Sequence, residues 1–191
     1  MYVALSCRAL LGMVFLVSGG SKVARRSAFR AYARAVRRLS PLSPALITPA
    51  ALALIAVELA VVILLVVPLE TTVAAGFALA ILLLVVFSAA VIGSLSRGER
   101  TPCQCFGRSA APLGWRHVTR NAALACVALL GLVTEPGRYG AGASGMAAAV
   151  ASGLVLGWLV TQADQIAELL APSQLSVAGR PPGPPVDLEN L

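Results

Sequence analysis

Cys103 and Cys105 stand one residue apart in Thr101-Pro102-Cys103-Gln104-Cys105-Phe106-Gly107-Arg108, a polar stretch in a largely apolar chain. A thiol pair at this spacing suits disulfide exchange when one sulfur is deprotonated and reachable. Arg97, Arg100 and Arg108 are close in sequence, and His117 stands at the head of the next apolar run. Their positive charge, with the partial positive charge of that run's helix N-terminus, favours a thiolate. Pro102 and Gly107 shape the loop, and a Cys-x-Cys disulfide closes a small strained ring, which makes it oxidising. Two plainer readings compete. One is a loop with inert cysteines. The other is part of a metal site, for which Cys103, Cys105 and His117 have no evident fourth ligand at zinc-like spacing. The pair is read as catalytic, with the three arginines and His117 in support and no metal assigned.

Other polar residues interrupt apolar runs. Cys7 and Cys126 read as small buried hydrophobes, with Cys126 also a candidate relay because its run follows the thiol loop. Glu58 lies near the middle of an apolar segment. A central carboxylate costs roughly 2.5–3.5 kcal/mol on insertion scales, so it must face other helices and find a partner or a proton. Arg8, at a comparable depth on an antiparallel neighbour, is the expected partner. An ion pair is the structural reading; proton handling or binding of a small polar ligand such as a quinone is the functional one. Lys22, the sole lysine of the chain, is expected to snorkel to the membrane interface. Ser18-Gly19-Gly20-Ser21 before it are small enough for close helix approach.

The elements that must position these residues follow from composition. Of 191 residues, 58% are hydrophobic and only 12% charged, and the mean hydropathy is +0.85. A soluble domain has about 25% charged residues, so the chain is read as one all-α polytopic transmembrane bundle. A span needs about 20 apolar residues. Four core spans are expected at Tyr2–Gly20, Ile47–Val67, Thr72–Leu95 and Trp115–Thr134, with a fifth at Ala141–Gln162. The first resembles a signal peptide only loosely, because seven basic residues follow it, and Leu5-Ser6-Cys7 lacks the apolar segment of a lipobox; it is read as a retained span. Phe29, Tyr32, Ala33, Val36 and Leu39 recur at helical spacing opposite Arg26, Arg30, Arg34, Arg37 and Arg38. That pattern is a basic amphipathic helix, expected to lie apolar face down in the headgroup plane. Residues 1–162 form the bundle, and the Pro-rich tail 163–191 is expected to be disordered.

The net charge of +7 sits in two blocks. Residues 21–45 carry seven basic residues and no acid, and residues 96–120 carry five arginines against Glu99. Such blocks report orientation rather than nucleic-acid binding. They place both loops, and with them the thiol pair, on the cytoplasmic side of a multi-pass protein of the inner (plasma) membrane.

Three stretches carry a family resemblance. They are RALLGMVFLVSGGSK at 8–22, LSPALITPAALALIAVELAVVILL at 42–65 and LSRGERTPCQCFGRSAAPLGWRHVTRN at 95–121. Over roughly residues 1–162 the chain resembles the MauE family of methylamine-utilisation membrane proteins, related to DoxX-like bundles. The resemblance implies a four- or five-helix membrane bundle and carries the motif cysteines onto Cys103 and Cys105 and the membrane glutamate onto Glu58. It implies, in the methylamine case, a part in producing mature methylamine dehydrogenase, whose small subunit carries many disulfides. The leading expectation is a thiol–disulfide factor that exchanges electrons with a thioredoxin-like partner or client protein and passes them to a quinone. A non-catalytic assembly factor, or a small-solute transporter using Glu58, is the alternative.

Overall fold

The structure, a computed structural model, describes residues 1–39, 43–96, 115–134 and 142–170, the side chains of 39 and 164–170 excepted. Six helices account for them: α1 (Tyr2–Val23), α2 (Arg26–Leu39), α3 (Pro44–Val66), α4 (Glu70–Ser96), α5 (Trp115–Thr134) and α6 (Ala143–Leu170). No strand occurs among the described residues. All but α2 are long and apolar enough to cross a membrane, and all five coincide with expected spans. The protein is a multi-pass membrane protein. Large apolar side chains such as Leu82, Val85, Leu130, Val133 and Leu159 are exposed around the bundle. That would be a liability in water; hydrocarbon is the solvent that suits it.

Local chemistry sets the helix ends. Pro44 occupies the first turn of α3, where its missing N–H costs nothing. Val67, ahead of Pro68, is extended and stops α3. By contrast α6 meets no proline before Pro172. It runs to Leu170, through Ala163–Leu170, so the first part of the expected tail is helical.

Helix α1 is the centre of the bundle and touches α2, α3, α5 and α6. Every fourth residue of α6, namely Gly145, Ala149, Gly153, Gly157 and Thr161, belongs to one stripe. This stripe lies against Tyr2, Ser6, Ala9, Leu10 and Met13 of α1, with both helices running in the same direction. Small residues let two helix backbones approach closely in lipid, where packing replaces the hydrophobic effect as the driving force. At Gly19 and Gly20, where the sequence also offers small residues, a Cβ would meet only ordinary contacts or open space. The tight seam is therefore with α6, not at the end of α1.

The stagger of α1 against α3 governs the site. Ser18 of α1 reaches Glu58 of α3, while Arg8 reaches Leu65. The first turns of α3 therefore run on past the end of α1, and α2 fills the space. Tyr32 and Val36 of α2 cluster with Ala51 and Ile55 of α3. α2 is the expected basic amphipathic helix, but the centre of its apolar face rests on protein rather than on lipid. Burying Tyr32 and Val36 against a neighbouring helix also joins α2 to α3 at a fixed angle, which lipid contact alone would not do.

Candidate functional site

The polar centre of the bundle is built where that stagger brings four helices together. On α1 the buried stripe runs Ala4, Cys7, Leu11, Val14, Ser18, Lys22, at steps of three and four. On α3 it runs Ile47, Ala51, Ile55, Glu58, Val61, Leu65. Each stripe is one face of a helix, so Glu58 and Lys22 are carried inward by the same periodicity that buries their apolar neighbours. Their side chains are 1% and 2% exposed and form a salt bridge from Lys22 Nζ to Glu58 Oε1.

The surroundings complete the coordination. Lys22 Nζ also donates to Ser18 Oγ at 3.1 Å, and Ser18 Oγ donates to Glu58 Oε2 at 3.4 Å. The ammonium lies 4.7 Å from the centroid of the Tyr32 ring and 5.6 Å from that of Phe87. Both distances are within reach of cation–π attraction. One cation is thus shared by a carboxylate and a hydroxyl, with a ring of α2 and a ring of α4 close to it. Chemically the centre can hold an ion pair or, with one proton moved from Nζ to the carboxylate, a neutral hydrogen-bonded pair.

This corrects two expectations. Glu58 is paired with Lys22 rather than Arg8, and Lys22 is buried rather than extended to the interface. The reason is the stagger: α3 runs on past the end of α1 and α2 fills the space, so the face of the last turn of α1 that carries Lys22 is interior. Arg8 lies level with the end of α3. Its Nε and Nη2 donate to the Leu65 carbonyl at 2.9 and 2.7 Å. The last carbonyls of a helix have no intrahelical partner, and a guanidinium there satisfies them and complements the negative end of the helix dipole. Arg8→Met is expected to lower stability by about 1–3 kcal/mol, with partial recovery in Arg8→Lys. The thermal midpoint of the detergent-solubilised protein is the measurement, and an unchanged midpoint for Arg8→Met would rule the capping role out.

The remaining candidates are placed as follows. Cys103, Cys105, Arg97, Arg100 and Arg108 lie outside the described residues. His117 is half-buried in the first turn of α5, beside exposed Arg116 and half-buried Arg120. Cys7 is in the main core cluster with Leu11, Val14 and Phe77, as a small hydrophobe. Cys126 is a free thiol on the outward face of α5, about 16 Å along the helix from Trp115. It faces away from the interior, which corrects the expectation that it is a buried hydrophobe. No group of three or more metal-ligating side chains occurs among the described residues.

The sequence reading missed the role of Lys22. The signal was present in the stripe, because Lys22 follows Ser18 by four residues just as Ser18 follows Val14.

A family model, methylamine utilisation protein MauE, matches residues 1–134. The matched segment contains α1 to α5 and ends before α6, short of the 1–162 over which the resemblance was drawn. No curated protein and no solved structure is significantly similar to the chain.

Proposed function

The chain belongs to the MauE family, and from that premise we propose that it is a membrane thiol–disulfide factor serving the maturation of a disulfide-rich client. In the methylamine setting that client is the small subunit of methylamine dehydrogenase. The observation that carries this reading is the placement of Cys103-Gln104-Cys105 between two membrane helices. The helix that follows the pair opens with Arg116, His117 and Arg120, a cationic helix start of the kind that favours a thiolate.

In the proposed cycle a client thiolate attacks one sulfur of the Cys103–Cys105 disulfide and forms a mixed disulfide. The second client thiolate then attacks the client sulfur of that bond. The client leaves as a disulfide, and the loop holds the two electrons as a dithiol. Two electrons and two protons then pass to the disulfide of a thioredoxin-like partner or to a membrane quinone, which becomes a quinol, and the loop disulfide is restored.

The engagement of Glu58 by Lys22 and Ser18 supports a second element of the reading. The membrane carboxylate holds helices together and is not an open binding group. This argues against solute transport through Glu58 and is compatible with a scaffold on which a client docks.

The test is alkylation of native membranes with a maleimide of high mass, before and after reduction, in a Cys7→Ala, Cys126→Ala background. Reduction is expected to add two mass increments. Cys103→Ser and Cys105→Ser should each abolish that response, and one of them should trap a client in a mixed disulfide. Two cysteines equally reactive without reductant under all growth conditions, with no trapped species, would exclude the redox cycle and leave the scaffold reading.

A further inference from the structure

Where α2 meets the projecting start of α3, the two helices border a largely open cleft of about 570 Å3. Ser27, Phe29, Arg30, Ala33 and Arg34 of α2 and Thr48 of α3 line it. Ser27, Arg30 and Arg34 are spaced three and four apart and so share one helix face. Residues 21–45 hold seven basic side chains and no acid. Among the described residues neither Arg30 nor Arg34 has an ionic partner. Arg34 Nε donates to the Arg30 carbonyl at 3.3 Å, which leaves its terminal nitrogens to other acceptors.

We propose that this cleft binds the phosphate of an anionic glycerophospholipid. Two guanidinium groups and two hydroxyls are a phosphate-recognising set. Phe29 and Ala33 provide the apolar contact that a glycerol backbone and the first acyl carbons require. Thr48 lies about 6 Å below the start of α3, and its helix face continues through Leu52, Leu59 and Ile63, all exposed. An acyl chain leaving the cleft thus finds an apolar track down the outside of the bundle. A free anion would use the head of the site and nothing else, whereas a phospholipid uses all of it. The site is distinct from diffuse attraction to a charged surface, because Arg37 and Arg38, also exposed on α2, do not line it.

The test is native mass spectrometry of the purified full-length protein titrated with phosphatidylglycerol, with phosphatidylcholine and with inorganic phosphate. Phosphatidylglycerol is expected to bind in preference to phosphatidylcholine, and millimolar inorganic phosphate is expected not to displace it. Arg30→Gln with Arg34→Gln should weaken binding by about thirtyfold. Thr48→Val, which removes no charge, should weaken it by about fivefold. Arg37→Gln with Arg38→Gln, which removes the same charge as the first pair, should change it by less than about twofold. Equal losses in the two arginine pairs, or no loss with Thr48→Val, would overturn the site in favour of general surface attraction. Displacement by inorganic phosphate would overturn the lipid as its occupant.

Discussion

Lys22→Met is expected to destabilise the protein by about 3–5 kcal/mol, and Lys22→Met combined with Glu58→Met to recover most of that loss. The single substitution leaves a carboxylate 1% exposed, with one long hydrogen bond from Ser18 at 3.4 Å as its remaining support. Water cannot reach it and hydrocarbon cannot solvate it. Glu58→Gln costs less, about 1–3 kcal/mol, because the amide oxygen still accepts from Lys22 and the ammonium keeps Ser18 and the faces of Tyr32 and Phe87. The double variant has no buried charge, and two methionines fill comparable volume with flexible apolar chains. A double-mutant cycle on thermal unfolding in detergent measures the coupling. Additive losses, with the double variant worse than Lys22→Met alone, would show that Lys22 and Glu58 do not act as a pair. The same double variant separates architecture from chemistry. If the pair locks α1 to α3 and anchors α2 through Tyr32, a stable double variant keeps the redox response of Cys103 and Cys105.

What was legible in the sequence depends on which physical rule each residue obeys. The five spans could be read directly, since crossing hydrocarbon demands long apolar runs. Glu58 could be read as inward-facing for the same reason. Its partner could not, because depth along two helices compares only when their stagger is known. A reading that starts both helices at the same membrane boundary gives Arg8. The folded chain lets α3 overrun the end of α1 and tucks α2 into the gap. A lysine that closes an apolar run is then interior instead of interfacial, and Tyr32 meets its ammonium instead of lipid. The amphipathic pattern of α2 was correctly visible, yet the pattern is identical whether the apolar face meets lipid or another helix. For α6, the span could be read from its apolar length, but its glycines and alanines, spaced every four residues, form a packing surface whose partner helix the sequence does not name.

That packing surface gives the second large effect. Gly153→Leu is expected to detach α6 from α1, at a cost of about 3 kcal/mol or more. A Cβ at position 153 runs into the backbone carbonyl oxygen of Ser6, and it would lie 2.8 Å from Ala9 Cβ and 3.1 Å from the Leu10 nitrogen. Two of these three atoms are backbone of α1, so relief requires the helices to part and not merely a rotamer to change. Ser6 and Ser152, whose hydroxyl oxygens are 3.0 Å apart, report on the seam. In a background lacking the four native cysteines, Ser6→Cys with Ser152→Cys should oxidise to an intramolecular disulfide in membranes. Gly153→Leu should abolish that crosslink, whereas Val155→Leu, on the exposed face of α6, should leave it intact. Persistence of the crosslink in Gly153→Leu would mean that α1 and α6 are not held by close backbone approach. The matched family segment ends at residue 134, ahead of α6, and Lys22, Glu58, Tyr32 and Phe87 all lie within it. Detaching α6 should therefore leave the stability coupling of Lys22 and Glu58 unchanged, since none of the four helices that build the polar centre depends on α6 for its contact with the others. Loss of that coupling in Gly153→Leu would instead make α6 part of the bundle that sets the α1–α3 stagger.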